Sequence, residues 1–268
     1  MTIESIVKKT ISEYKLFNKK DKILVALSGG KDSLVVAYLL KKFGYKIEGL
    51  QINLCMGKYS EDCLDLTKEF CEKYEIPLHV YNLKKEDGKT MIELHKKIKA
   101  KENLSSCAIC GVFKKWILNK VSRELKFDKI VTGHNLDDEL QTYLINIFKG
   151  NPSLSYNSGP ITKNKEDKKF IPRVKPLYFV LEDNVRAFAK KNKIAVIEGK
   201  CPSADESYRF EVRGFLEKVS GKKKEKMIKD IVKLFENKSP KGQEMRYCEK
   251  CGEPSRGKIC KRCLLLTA

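Results

Sequence analysis

The sequence predicts an α/β fold, a doubly wound parallel sheet with helices on its faces, ending in a small C-terminal zinc ribbon. Three observations predict it. Short β-branched runs alternate along the chain with longer stretches whose apolar residues recur at helical spacing. A glycine-rich turn follows the first strand-like run and leads straight into a helical pattern. Four of the 10 cysteines lie within residues 246–268 as two CxxC pairs, a spacing that speaks for a metal rather than a hydrophobic core.

Taken in order, residues 1–19 read as an N-terminal helix and residues 20–236 as the main α/β domain. Within that domain KILVAL (22–27) is a buried strand, and SLVVAYLLKKF (33–43) is a helix closed by Gly44. KIEGLQI (46–52) is the second strand, followed by a helix over 60–75 with Leu64, Phe70 and Tyr74 on its apolar side. PLHVYNL (77–83) is the third strand. A helix over 111–125 leads to a fourth strand, DKIVTG (128–133), and to a further helix over 136–149. A helix from about 181 precedes KIAVIEG (193–199), which reads as the fifth strand. Residues 151–176, rich in Asn, Ser, Pro, Gly and Lys, read as a long flexible loop. Residues 212–236 form a basic helical stretch, 237–245 a linker, and 246–268 a separate four-cysteine module. Strands alternating with helices in this way build a parallel sheet, and ligands bind such sheets beyond the carboxyl ends of the strands.

Composition narrows the function classes. With 55 Lys and Arg against 35 Asp and Glu, the formal charge is +20, which suits a polyanionic partner and equally suits a soluble lysine-rich protein. No run of about 18 apolar residues is present, so a helical membrane span is excluded on length. The N-terminus is too charged for a secretory signal, so the expected compartment is the cytoplasm. In that compartment 10 cysteines are not read as disulfides. Six of them form three CxxC pairs, Cys107/Cys110, Cys248/Cys251 and Cys260/Cys263. Cys63 and Cys71, eight residues apart on a predicted helix, read as small core residues.

Ser28-Gly29-Gly30-Lys31-Asp32-Ser33 stands between the first strand and the first long helix of the domain. Its glycines let backbone N–H groups converge on an anion, and the helix N-terminus adds positive potential. Lys31 and the hydroxyls of Ser28 and Ser33 complete a cradle for pyrophosphate. The spacing is not that of the GxxxxGKS/T loop. SGGKDS after a strand resembles the PP-loop of the ATP pyrophosphatases, which cleave ATP to AMP and pyrophosphate. The resemblance implies an adenine nucleotide alpha hydrolase-like fold.

Three further motifs lie at predicted strand ends or helix starts: Cys107-Ala108-Ile109-Cys110-Gly111-Val112-Phe113-Lys114-Lys115, Thr132-Gly133-His134-Asn135-Leu136-Asp137-Asp138, and Gly199-Lys200-Cys201-Pro202. Together they resemble the tRNA 2-thiouridine synthetases, the group of uridine-34 and uridine-54 thiolases. The resemblance implies that Cys107, Cys110 and Cys201 hold a [4Fe–4S] cluster with one iron free of protein ligands. The thiols alone are also compatible with a redox pair assisted by a Cys201 persulfide, or with a zinc site. The resemblance implicates Lys114 and Asp138 in catalysis, with Lys115 as the rival of Lys114. Lys114 would neutralise charge at the α-phosphate, and Asp138 would act as a base or position a uracil proton. It places Ala26, Ser28, Gly29, Gly30, Lys31, Asp32, Ser33, Asn53, Gly133, His134 and Asp137 around ATP. Asp32 and Asp137 are the candidates for Mg²⁺.

Cys248-x2-Cys251-x8-Cys260-x2-Cys263 is two thiolate knuckles in a segment too short for a core of its own, so Zn²⁺ is expected to supply its folding energy. Arg256, Lys258, Lys261 and Arg262 make it basic, which suits phosphate contact and equally suits a solvated surface. Members of the family carry a second such module before the first helix, and this chain reads as lacking one. The implied activity is ATP-dependent tRNA uridine 2-sulfurtransferase: uridine O2 is adenylated and then replaced by sulfur. The sulfur would come from a ubiquitin-like protein thiocarboxylate or from free sulfide, and the enzyme would be a homodimer like its relatives. The alternatives are a tRNA cytidine 2-thiolase, a nitrogen-transferring lysidine synthetase, and a non-catalytic tRNA-binding protein.

Overall fold

Five strands form one sheet: β1 (Ile23–Leu27), β2 (Ile47–Asn53), β3 (Leu78–Asn82), β4 (Lys129–Val131) and β5 (Arg173–Val174). Their order is β3-β2-β1-β4-β5, and every pair is parallel. Between and around them run α1 (Ile3–Glu13), α2 (Lys31–Lys42), α3 (Lys58–Lys73), α4 (Leu83–Asp87), α5 (Met91–Lys99), α6 (Ser106–Glu124), α7 (Leu136–Phe148), a 3₁₀ turn (Pro152–Asn157), α8 (Glu182–Lys191), α9 (Arg209–Glu217) and α10 (Gly221–Phe235). The hairpin β6 (Arg246–Tyr247) and β7 (Pro254–Ser255) and the helix α11 (Lys261–Thr267) make the terminal module. The computed structural model describes residues 1–162, 167, 169–197, 199, 201–203, 209–235 and 246–267. The expected linker at 237–245 and Lys200 lie outside those residues.

β1 is almost wholly buried because helices cover both faces of the sheet. Its alternation divides the core. Ile23, Val25 and Leu27 join α1, α2 and α8 on one side, while Leu24 packs with Leu50, α5 and α6 on the other. Cys71 and Cys63 are buried, as expected of small core residues.

The fifth strand is not where the periodicity puts it. Residues 193–197 are not strand; Lys193 turns the chain with φ of +52° after α8, and Ile194 packs into the core. Ile197 N–H then runs past the nucleotide loop, 3.5 Å from the Gly29 carbonyl. The edge strand is Arg173–Val174, inside the stretch expected to be a flexible loop. There the Ile130 N–H bonds to the Pro172 carbonyl at 2.9 Å and the Thr132 N–H to the Val174 carbonyl at 3.0 Å. Two paired residues beside a proline leave too little alternation to read. The basic stretch expected over 212–236 is two helices, α9 and α10, and α4 and α5 are additions between β3 and α6.

β1 and β4 are neighbours, yet the connections after them leave toward opposite edges of the sheet. Their carboxyl ends therefore frame the switch-point crevice where such sheets bind ligands. Among the described residues no helix is long and apolar enough to cross a membrane.

Candidate active site and metal centres

The loop after β1 is built around two close approaches. Gly29 has φ of +76°, and a Cβ there would lie 3.1 Å from the Cys63 backbone in α3. Both features exclude a side chain. Gly30 caps α2 with no side-chain hydrogen bond, so the first amides of α2 are left to a ligand. Ser33 Oγ accepts from the Ser28 N–H at 3.1 Å and donates to the Gly30 carbonyl at 2.9 Å, locking the turn. Ala26 sits one residue inside the end of β1 and is partly buried.

Lys31 bridges Asp32 at 3.0 Å and Glu182, the first residue of α8, at 2.8 Å. Glu182 also pairs with Arg186 and Arg213. Burial of Lys31 works against its charge, but these carboxylates more than offset it and raise its pKa. Nothing in the sequence signalled Glu182, because its role depends on α8 folding back against α2.

The loop after β4 lies against this turn. A Cβ on Gly133 would be 2.7 Å from the backbone of Asp32 and Ser33, so glycine alone allows the two loops to touch. Asn135 Nδ2 donates to Asp32 at 2.9 Å, and Asn135 and Asp138 form the capping box of α7. Burial and the neighbouring Asp32 charge push the Asp138 carboxyl up to about 6. His134 Nδ1 lies 3.0 Å from Thr132 Oγ1. Its ring is open to solvent yet deep in the protein, the situation of a residue on the floor of a recess. Depth, and then Lys175, Arg209, Lys115 and Arg173, lower its pKa. Depth and the four cations act in the same direction, so His134 is neutral at physiological pH.

The two carboxylates expected to hold Mg²⁺ are occupied. Asp137 accepts from Lys224 at 2.7 Å and from the Glu182 N–H at 2.8 Å, one bond to each oxygen. Asp32 is bonded to Lys31 and Asn135 in the same way. As they stand, these groups fasten helix starts and do not fit a resident divalent ion. Asn53 is buried, and its Oδ1 accepts the Cys55 N–H at 2.8 Å, so it shapes the turn after β2.

Cys107 and Cys110 stand in the first turns of α6, which Ser105 caps. Cys107 is exposed, and its thiol donates to the Ser203 carbonyl at 3.6 Å, two residues past Cys201. Cys201 packs on the same apolar cluster that contains Cys110. Cys107, through Ser203, and Cys110, through the shared apolar cluster, thus both lie near the Cys201 segment. Burial pushes the Cys110 thiol up to about 11, with Lys114 opposing. Lys114 also acts on Cys63, the residue under Gly29, so its charge is felt both at the Cys110 thiol and beneath the nucleotide loop. Lys115 is turned instead toward Arg173, Lys175, Arg256 and Arg209. His95, buried on α5, places Nε2 3.2 Å from Cys110 Sγ; a lone histidine outside any motif offered no prior signal.

The four-cysteine module is a closed site. Cys248, Cys251, Cys260 and Cys263 have sulfurs all within 4.8 Å of one another. Backbone N–H groups of Cys260 and Cys263 donate to Cys248 and Cys260 sulfurs at 3.2 and 3.4 Å, and Gly252 turns the first knuckle with φ of +69°. The donors fit tetrahedral Zn²⁺. The module is fastened to α6. Trp116 Nε1 donates to Cys251 at 3.4 Å, Arg123 and Asn119 hold Glu253, and Leu265 is buried in the main core. Two of the four cations expected to meet phosphate are not free for it. Arg262 is buried, bonded to Asp87 and stacked 3.7 Å from the Trp116 ring, and Lys261 pairs with Glu102.

The model of a PP-loop domain family matches residues 2–219. The tRNA-5-methyluridine(54) 2-sulfurtransferase of Pyrococcus horikoshii is 39% identical over 266 residues, 97% of this chain and 83% of that protein. The cytoplasmic tRNA 2-thiolation protein 1 of Danio rerio is 31% identical over 273 residues, 98% of this chain and 78% of that protein. Among solved structures, the U34-tRNA thiolase NcsA of Methanococcus maripaludis, with its [4Fe–4S] cluster, superposes with a TM-score of 0.82 at 30% identity. That match covers 99% of this chain and 86% of the thiolase. The NH3-dependent NAD synthetase of Campylobacter jejuni, at 17% identity and a TM-score of 0.50, shares the fold alone over 91% of this chain and 100% of its own. Taken with the glycine turn, the loop that Gly133 presses against it and the thiols at the sheet edge, these likenesses make the chain a member of the PP-loop family of tRNA 2-thiolation proteins.

Proposed function

We propose that the protein is an ATP-dependent tRNA uridine 2-sulfurtransferase. The observation that supports this most is the arrangement around Lys114. The residue acts on the Cys110 thiol on one side and on Cys63, beneath Gly29 of the nucleotide loop, on the other.

In this reading the amides at the start of α2, with Ser28, Gly29, Gly30, Lys31 and Ser33, cradle the phosphates of ATP, and Mg²⁺ arrives on the nucleotide. Lys31 exchanges Glu182 for phosphate. The target uridine is turned out of its stack, because its C2 carbonyl is otherwise occluded. Uridine O2 bonds to the α-phosphorus, the bond to pyrophosphate breaks, and Lys114 offsets the developing charge. Asp138, with its elevated pKa, takes the uracil N3 proton released in that step. His134, being neutral, accepts or donates a hydrogen bond without adding charge. When bound, a [4Fe–4S] cluster on Cys107, Cys110 and Cys201 supplies an iron position free to hold hydrosulfide. Hydrosulfide then bonds to C2, the C2–O bond breaks so that AMP departs with the former O2, and the hydrosulfide proton passes to N3 to give the thione.

The terminal module carries Zn²⁺ as a structural ion. The sulfur donor is a ubiquitin-like thiocarboxylate or free sulfide, the enzyme is a homodimer, and it works in the cytoplasm, as the names of the 2-thiolation relatives suggest. The test compares cluster-free and reconstituted protein with tRNA, ATP and sulfide under anaerobic conditions, with nucleosides read by mass. A 2-thiouridine formed by reconstituted protein alone is the expected result; equal yields without the cluster would refute it.

A further inference from the structure

Lys115, Asn119 and Arg123 recur every four residues along α6 and form one stripe of its surface. Asn119 accepts the Ile171 N–H at 3.0 Å and donates to the Lys169 carbonyl at 2.8 Å and to Glu253 at 3.0 Å. Arg123 binds the same Glu253. The stripe therefore seats the approach to β5 on one flank and the zinc-module hairpin on the other. Arg173 stands two residues beyond Ile171, and Arg256 three beyond Glu253. Lys115 opens the stripe one turn earlier, and the charges of both arginines act on it.

Two more cations close the ring. Lys175 follows β5 and pairs with Glu139 at 2.7 Å. Arg209 on α9 donates to the Asp138 carbonyl at 3.4 Å and to Gln141 and Thr142, each at 3.2 Å. Four of the five act on His134 at the floor, and the mutual repulsion lowers the Lys115 pKa once burial has begun to do so. Lys115, Arg173 and Arg256 form no ion pair among the described residues. Converging cations without counter-charge oppose folding unless an anion neutralises them.

We propose that this recess binds a backbone phosphate of the substrate tRNA beside the nucleotide being modified, clamped between the zinc module and the floor at His134. The proposal rests on the tRNA thiolation reading and adds the place where the RNA backbone is gripped. ATP is the other source of phosphate. It has its own lysine and amide cradle at Gly29–Ser33, whereas a ring drawn partly from the terminal module reaches outward toward a large ligand.

The test measures tRNA binding against KCl concentration, and ATP binding by calorimetry, for the full chain and for Lys115→Ala, Arg256→Ala and the double variant. Arg256 is exposed, so its replacement leaves the fold intact, and unchanged zinc content verifies this. Each single change is expected to reduce the slope of log Kd on log salt by about one, and the double change to weaken tRNA binding by about tenfold or more, with ATP affinity kept within about twofold. An unchanged slope overturns the proposal. A fall in ATP affinity with an unchanged tRNA slope overturns it too and assigns the recess to the triphosphate. The thiolation reading fails separately, if the unaltered protein binds tRNA with its full salt slope yet yields no thionucleoside.

Discussion

The two sets of cysteines are assembled in opposite ways. Cys248, Cys251, Cys260 and Cys263 come from one short segment, and their sulfurs converge within 4.8 Å. Cys107 and Cys110 come from the start of α6, Cys201 arrives from far along the chain, and the three remain apart, one exposed, one buried and one half-buried. The first set is closed, as a structural ion needs. The second is partly exposed, which suits the sulfur site proposed for it. A cell of local knuckles can be stable before the rest folds around it, whereas the open set exists only when the sheet has brought its edges together.

Several substitutions would break or sharpen this contrast. Cys201→Ser is expected to abolish thiolation and iron retention while zinc stays at one per chain, measured by metal analysis. Joint loss of both metals would mean the two sites are not independent. Asp138→Asn should lower the thiolation rate by about 10²–10⁴. In the unaltered protein Asp138 is protonated below about 6 and ionised above it, so the rate should rise as pH climbs through that value. A pH profile with the same limb in the Asn variant would remove Asp138 from the role of base. Cys260→Ser is expected to release zinc and to destabilise the whole chain by about 2–5 kcal/mol in denaturant titration, since Leu265 belongs to the main core. His95→Ala should speed chelator-driven loss of iron about 10–100-fold and leave zinc in place, because outer-shell partners commonly tune metal affinity by that much. The smallest effect is expected for Trp116→Phe, about 1 kcal/mol, from the lost N–H···S bond to Cys251 and a weaker stack with Arg262.

Apart from α4 and α5, the order of strands and helices through α7 was legible because buried parallel strands write themselves as apolar runs and the helices between them carry a strong period. β5 was not, since an edge strand of two paired residues leaves no pattern, and 193–197 imitates one by supplying apolar residues to the core from an irregular segment. The glycines were legible at the two positions where backbone meets backbone, Gly29 and Gly133. What faces them was not: Cys63 under Gly29 and Glu182 on Lys31 come from other elements. Asp137 shows the limit from the other side. Its place in the motif expected around ATP made it a candidate Mg²⁺ ligand, but its oxygens hold Lys224 and the start of α8.

By itself the sequence determined the kind of sheet, the phosphate-binding turn and the closed thiolate module, because each rests on neighbours in the chain and on backbone geometry that residue type dictates. Tertiary structure decided which carboxylates are already engaged, and that the terminal module is fastened to α6. Those outcomes depend on which distant surfaces pack together. The direction a side chain takes on a helix gains meaning only once something stands opposite it.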